Sequence, residues 1–237
     1  MVDHAPAGNV AERLFRVLEA IESAAERAGR AGAVQLVAVS KTVPVDSIAQ
    51  AYTAGQRVFG ENRVQEGMDK ISALRETAPD LRWHLIGHLQ TNKAKAAAES
   101  FDVIESVDSF RLAERLDERA GLAGRRLPVL FEVNVAGEAS KSGFSPGELT
   151  GLWPVLFDLP HLDPRGLMTV APLASDPETV RPVFRRLREL RDEIRVASGK
   201  SGFSELSMGM SGDFATAIEE GATIVRLGRA IFGERRV

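Results

Sequence analysis

The sequence predicts an α/β barrel of eight parallel strands, and three observations carry that prediction. Short apolar or β-branched runs recur eight times along the 237 residues, each followed by a stretch with helical spacing. The connections are short, and no linker, low-complexity segment or fixed-period repeat interrupts the series. The first run, Leu36-Val37-Ala38-Val39, has no polar residue in it, as expected of a parallel strand buried on both faces. A single (β/α)8 domain over residues 1–237, with an extra helix ahead of the first strand, accounts for all three. An open doubly wound sheet is built from the same alternation and is the competing topology.

Taken in order, Asn9 can cap a helix over 9–29, with Leu14, Val17, Leu18, Ile21 and Ala25 on one face and Gly29 and Gly32 ending it. The first strand is 36–40. After Pro44, Asp46 can cap a short helix through Ile48, Ala49 and Tyr52 that stops at Gly55. The second strand is 57–60, followed by a helix over 64–74, and the third is 82–86, followed by an alanine-rich helix over 93–100. The fourth strand, 103–106, leads to a helix over 110–120 capped by Ser109. The fifth, 127–134, is rich in β-branched and aromatic residues. A Gly/Ser-rich loop over 136–143 separates it from a helix over 146–157. The sixth strand, 162–168, precedes a long charged helix over 177–197. The seventh, 203–208, precedes a helix over 213–220, and the eighth is 223–227.

Composition excludes several functions. There is no cysteine, so disulfides, thiolate catalysis and cysteine metal sites are ruled out. That absence fits a cytoplasmic location. A net charge of −3 argues against general nucleic-acid binding. No apolar run approaches the roughly 20 residues that span a bilayer, so no membrane association is expected. The segment Met1-Val2-Asp3-His4-Ala5-Pro6 lacks the basic-then-apolar order of a signal peptide.

In barrels of this kind the active site lies at the C-terminal ends of the strands. Polar residues collect there: Lys41 after the first strand, Asn62 after the second, His88 and Gln90 after the third, and Asn134 at the end of the fifth. Met168 and Thr169 end the sixth, Ser207 and Ser211 belong to the seventh, and Arg226 and Gly228 to the eighth. Lys41 either snorkels to solvent from its strand end or is desolvated there, which lowers its pKa and frees the amine for carbonyl chemistry. The stretch Ser207-Met208-Gly209-Met210-Ser211-Gly212-Asp213 opens a helix and faces Arg226-Leu227-Gly228-Arg229. Glycines there let backbone N–H groups approach an anion, and barrels often bind phosphate at these two loops. A Schiff-base lysine and a phosphate grip across one mouth suit either pyridoxal 5′-phosphate (PLP) or a phosphorylated sugar.

Other signals are weaker. Neither nucleotide-binding glycine motif occurs. His84 and His88 have metal-like spacing, but Gly87 intervenes and no third ligand is evident, so no metal is expected. Glu61 and Glu66 could serve as acids or bases but read first as a solvated helix start, and Arg181 to Arg195 reads as a solvated outer helix. Met208 and Met210 read as packing beneath the phosphate loop.

Seven stretches in order match one family: Ala38-Val39-Ser40-Lys41; Phe59-Gly60-Glu61-Asn62-Arg63-Val64-Gln65-Glu66; Trp83-His84-Leu85-Ile86-Gly87-His88-Leu89-Gln90-Thr91-Asn92-Lys93; Asn134 with Lys141-Ser142-Gly143; Gly166-Leu167-Met168; Ser207-Met208-Gly209-Met210-Ser211; and Arg226-Leu227-Gly228. From about residue 9 onward the chain resembles the YggS/PROSC family of PLP homeostasis proteins. The resemblance implies a barrel like the N-terminal domain of alanine racemase, with PLP bound as a Schiff base on Lys41. It further implies phosphate held by Ser211 and the backbone at Gly228 and Arg229, with Ser207 nearby. Arg226 would face the pyridine nitrogen, and Asn62 and Met168 would flank the ring. Arg229 departs from the small residue common in the family, so the backbone N–H or the guanidinium must replace a hydroxyl contact there.

The resemblance also implies what the protein does not do. Racemases of this fold take a tyrosine from a second domain, whereas this sequence ends at Val237 and its one tyrosine, Tyr52, sits at a helix packing position. A monomeric, cytoplasmic PLP carrier or regulator without committed turnover is therefore expected, with apo PLP-dependent enzymes as possible recipients. A single-domain PLP-dependent racemase is the alternative, and a Schiff-base aldolase acting on a sugar phosphate is a second.

Overall fold

The computed structural model describes residues 8–233, so the expectation about residues 1–6 lies outside the described residues. Eight parallel strands close into a barrel in sequence order, each pairing with the next and β8 pairing with β1. The strands are β1 (Gln35–Val39), β2 (Val58–Glu61), β3 (Arg82–Leu85), β4 (Val103–Val107), β5 (Leu127–Glu132), β6 (Leu162–Met168), β7 (Glu205–Ser207) and β8 (Ile224–Leu227). The predicted barrel is therefore the observed one, and the open sheet is excluded.

The helices are α1 (Val10–Arg27), α2 (Val45–Thr53), α3 (Val64–Leu74), α4 (Ala94–Ser100), α5 (Phe110–Leu122), α6 (Pro146–Phe157), α7 (Arg181–Ser198), α8 (Phe214–Glu219) and α9 (Arg229–Phe232). Short 3₁₀ turns precede α4 (Thr91–Lys93) and α7 (Pro177–Val180). Asn9 caps α1, Ser109 caps α5, and Ser145 with Glu148 forms a reciprocal capping box on α6. Two local expectations are corrected. Pro44, not Asp46, holds the cap position of α2 and Asp46 lies in the first turn, because the ring fixes an extended-to-helical entry that needs no side-chain acceptor. Leu18 faces solvent, because α1 buries only the narrow stripe of Val10, Leu14, Val17, Ile21, Ala24 and Ala25 against its neighbours.

Side-chain alternation separates two apolar layers. Leu36 and Ala38, Phe59, Trp83 and Leu85, Val129 and Phe131, Leu167, Leu206, and Val225 and Leu227 point outward into a continuous layer shared with the helices. Val37, Val58, Ile224 and Ile86 point inward and form a small plug. The plug is tight at Gly60, where an added Cβ would lie 2.7 Å from Val37 and 3.1 Å from Ile86. Above and below it the interior is polar, and the upper half is the mouth formed by the strands' C-terminal ends.

Backbone crowding is greatest where β6 meets β7. A Cβ on Gly166 would lie 1.9 Å from the carbonyl oxygen of Glu205, the residue paired with it in the ladder. Gly166→Ala is expected to lower the unfolding free energy by about 3 kcal/mol or more, since the ladder must open to admit the methyl group. Urea denaturation of the two proteins measures this.

Candidate functional site

Lys41 leaves the end of β1 on the interior side of the alternation that runs through Val37 and Val39. The ladder continues one residue beyond the strand, with the Ser40 N–H donating to the Gly60 carbonyl at 3.0 Å. Thr42 then adopts φ 61°. For a β-branched residue that conformation costs about 1–3 kcal/mol and persists only where surroundings hold it. They do so through Lys70 of α3. Its Nζ donates to the Ser40 carbonyl at 2.7 Å, to Glu61 Oε1 at 2.8 Å and to Glu66 Oε1 at 2.6 Å. Glu66 Oε1 also accepts from the Thr42 N–H at 2.5 Å, and Glu61 Oε1 from the Ser40 hydroxyl at 2.6 Å. Burial pushes the Glu61 carboxyl up, while for Glu66 the same effect is outweighed by Lys70 and the Thr42 N–H, which hold it down. The expectation of a solvated helix start at Glu61 and Glu66 is thus corrected. Glu61 is fully buried and Glu66 is partly buried against Lys70.

A second assembly runs through the barrel interior. Arg226 of β8 is buried and donates to the Ser207 hydroxyl at 2.5 Å and to the Thr169 carbonyl at 2.7 Å. Ser207 donates to Glu105 Oε2 at 2.5 Å, and His84 Nδ1 lies 2.6 Å from Glu105 Oε1. Burial alone would raise Glu105, but His84, Arg226 and Ser207 hold it below the usual carboxylate range. Burial pulls Arg226 down from its ordinary value against the pull of Glu105, Glu132 and Asp213, and a guanidinium remains charged there. The Ser207 hydroxyl is engaged on both sides, so it orients Arg226 from below the mouth.

The loops after β7 and β8 lie side by side at the mouth. Gly209 has φ 96°, and an added Cβ would lie 2.7 Å from Ala217, so the loop packs directly onto α8. The Arg226 N–H is tied to the Gly209 carbonyl and the Met210 N–H to Asp213 Oδ1. The N–H groups of Ser211, Gly212 and Gly228 have no acceptor among the described residues. Burial raises Asp213 from its ordinary value. Gly228 sits against Val39, with space for no Cβ beyond 2.9 Å from the Val39 carbonyl. Arg229 begins α9 and is exposed. Because β8 pairs with β1, Val37 opposite Arg226 and Ala38 opposite Leu227, the cradle lies next to Lys41.

The remaining expected residues line the rest of the mouth. Asn62 follows β2, where Gly87 packs on its backbone, 2.4 Å from the Asn62 carbonyl oxygen to the ideal Cβ position. Met168 is fully buried at the end of β6. Asn134 ties down the following loop through both amide atoms, to the carbonyl and N–H of Glu138 at 2.8 and 3.2 Å. Lys141 pairs with Glu138 at 2.6 Å. His88, whose Nδ1 lies 2.8 Å from Asp108 and 3.2 Å from the Ser142 hydroxyl, closes the rim. No cluster of possible metal ligands occurs among the described residues.

Three site residues were not anticipated: Lys70, Glu105 and Glu132. Each had a signal. Lys70 falls on the buried face of its helix between Gly67 and Leu74, and the two glutamates interrupt the apolar runs Val103 to Val107 and Leu127 to Val133. Charges at such positions are held by partners or perturbed.

Glu132 is the perturbed one. Its Oε2 is buried without a hydrogen-bond partner. Burial, assisted by the negative charge of Asp108, pushes its carboxyl up to about 7, against the pull of Arg226 and His88. The folded protein therefore holds a proton that the unfolded chain has released, so stability falls as pH rises from about 4.5 to about 7 and is level above that. Glu132→Gln removes this dependence. Between pH 5 and pH 8 the variant should gain on the order of 2–3 kcal/mol relative to the parent, read by urea denaturation at the two pH values.

The profile of the family "Alanine racemase, N-terminal domain" matches residues 16–236. The "Pyridoxal phosphate homeostasis protein" of Aquifex aeolicus is 48% identical over 229 residues, 96% of this chain and 99% of that one. The protein of the same name from Escherichia coli K12 is 42% identical, with 96% and 97% covered. Among solved structures, PipY of Synechococcus elongatus with PLP bound superposes with a TM-score of 0.85 at 42% identity, covering 95% of this chain and all of that one. An alanine racemase from Clostridium difficile, at 17% identity and a TM-score of 0.72, shares the fold over 58% of its length. The chain belongs to the pyridoxal phosphate homeostasis protein family, built on the alanine racemase N-terminal domain.

Proposed function

We propose that this protein binds PLP as a Schiff base on Lys41 and acts in PLP homeostasis as a carrier or regulator, without committed turnover of its own. One observation carries the reading. Closing β8 against β1 sets a strand-end lysine beside unpaired backbone N–H groups at Ser211, Gly212 and Gly228, the donor set that a phosphate monoester requires. The presence of bound PLP in PipY, 42% identical over nearly the whole chain, supports the choice of PLP over a sugar phosphate.

PLP supplies an aldehyde that condenses with amines and a ring that withdraws electrons when its nitrogen is protonated. The protein's residues favour holding over turnover. Ser211 and the N–H groups of Gly228 and Arg229 hold the phosphate, while Asn62 and Met168 flank the ring. Arg226, fixed by Ser207 and Thr169, presents a permanent cation to the ring nitrogen and so opposes its protonation. Tyr52, the only tyrosine in the sequence, is held by Asp80 and Arg57 at the strands' N-terminal ends, away from the mouth. The reading extends to a cytoplasmic monomer that delivers PLP to apo-enzymes. No described helix is long and apolar enough to cross a membrane.

One feature favours the alternative of a single-domain PLP-dependent racemase. Glu132, in the mouth, titrates near neutral pH, as an acid–base residue would. Interconversion of amino-acid enantiomers faster than with free PLP would replace the carrier reading.

The primary test is the visible spectrum of the protein titrated with PLP, beside Lys41→Ala, followed by borohydride reduction and peptide mapping. A reducible band trapped on Lys41 is expected. The variant should lack it and bind PLP at least about tenfold more weakly, about 1.4 kcal/mol. No trapped adduct in the parent protein would return the sugar-phosphate reading.

A further inference from the structure

We infer that Lys70, with Glu61 and Glu66, is a positioning device for Lys41: it fixes the peptide groups on both sides of that residue and so aims the amine at the carbonyl it attacks. The inference rests on Lys41 being the Schiff-base residue, and deepens that reading by naming what makes the lysine competent.

The geometry is specific to this turn. Lys41 itself is bracketed: the carbonyl before it, on Ser40, accepts from Lys70, and the N–H after it, on Thr42, donates to Glu66. Both contacts converge on one buried ammonium and its carboxylates. The device is anchored behind as well. An added Cβ on Gly67 would lie 2.4 Å from Phe101 and 3.4 Å from the Cβ of Glu61, so α3 is pressed onto β2 and Lys70 Nζ has a fixed origin. Thr42 holds a left-handed conformation that threonine avoids when released. Without the clamp, the turn relaxes towards negative φ and rotates the Lys41 Cα–Cβ vector.

That vector decides the reaction. In Schiff-base formation the neutral Lys41 amine adds to the PLP aldehyde carbon. A C=N bond replaces C=O, and the carbonyl oxygen leaves as water with the two amine hydrogens. The phosphate end of the ligand is held independently at the β7 and β8 loops, so the amine must reach a carbon whose place is already set. A misplacement of about 1 Å in such a step costs up to about 100-fold in rate.

Glu66→Gln is the test variant, because it weakens the Thr42 contact while leaving Lys70 paired with Glu61. Lys70→Met would instead strand the buried Glu61. The first measurement uses PLP-free protein: reductive methylation with formaldehyde and cyanoborohydride, read by peptide mass spectrometry. Lys41 labelling should change about threefold or more, while exposed Lys95 and Lys200 label as in the parent. The second is stopped-flow absorbance on adding PLP. Schiff-base formation should slow about tenfold while the phosphate grip is retained, seen as unchanged competition by inorganic phosphate. The third is rescue. Glycine reaches positive φ without strain, so Glu66→Gln/Thr42→Gly should recover the parent rate to within about threefold.

Parent-like labelling and kinetics in Glu66→Gln would overturn the inference, as would a slowed rate that Thr42→Gly does not rescue. If PLP is never trapped on Lys41 of the parent, the PLP reading fails by itself. The labelling of PLP-free protein then still decides whether the clamp aims the lysine.

Discussion

The guanidinium of Arg226 is buried inside a closed barrel, and much of the site follows from keeping it there. A buried cation with a missing partner would cost about 3–5 kcal/mol, so the interior supplies one at each end. The Thr169 carbonyl takes one Nη, and Ser207 takes the other and relays it to Glu105. Glu105 is in turn completed by His84. Four strands, β3, β4, β7 and β8, and the residue that follows β6 are thereby tied through one hydrogen-bonded line. The line explains why a charge appears in the middle of Val103 to Val107, and why the strand-seven serine is a serine. It also explains how Arg226 can present a fixed positive field to the mouth.

The same rule works on the outside of β1 and β2. Lys70 is buried between the barrel and α3 and is satisfied by Glu61, Glu66 and the Ser40 carbonyl. Here the satisfied charge does local work, because it holds the Ser40 carbonyl before Lys41 directly, and its partner Glu66 holds the Thr42 N–H after it. Both assemblies convert an expensive buried charge into a geometric constraint. One constrains the cation facing the mouth and the other the turn that carries the amine.

Much of the fold was legible in the sequence because its signals are local. The apolar runs, the caps at Asn9 and Ser109, and Pro146 at the start of α6 each act within a few residues, and α3, α6 and β6 match their expected bounds. The short helix α9 was not anticipated, since four residues after Gly228 carry no periodicity to read. At the mouth, motif order singles out Lys41, Asn62, Met168, Ser207, Ser211, Arg226 and Gly228 as expected residues, with Arg229 as a departure from the family pattern. Their surroundings did not follow from the motifs. Lys70 meets Ser40 across 30 residues and Ser207 meets Glu105 across 102. No local pattern encodes such contacts, although a lone charge on a buried face marks where to expect one. Glu61 and Glu66 show the opposite error: local sequence suggests a wet helix start, and only the packing of α3 on β2 buries Glu61 and partly shields Glu66.

The mouth is electrostatically divided. Lys41, Arg226 and the unpaired N–H groups of the β7 and β8 loops occupy one arc. Glu132, Asp108 and His88 occupy the opposite arc, at β3 to β5. A dianionic phosphate entering this mouth is drawn to one side and repelled from the other, so it has a single favourable orientation before any covalent bond forms. Glu132 makes the division depend on pH, since its carboxyl gains charge on passing about 7. As that charge develops, it draws on the field of Arg226, the same field that opposes protonation of a ring nitrogen. If PLP binds here as proposed, the phosphate meets backbone N–H donors that carry no titrating group of their own, whereas the field at the ring shifts as Glu132 ionises. On the proposed reading, retention of the ligand and the reactivity of its ring would be governed by different groups, the β7 and β8 loop N–H groups for the first and Arg226 for the second.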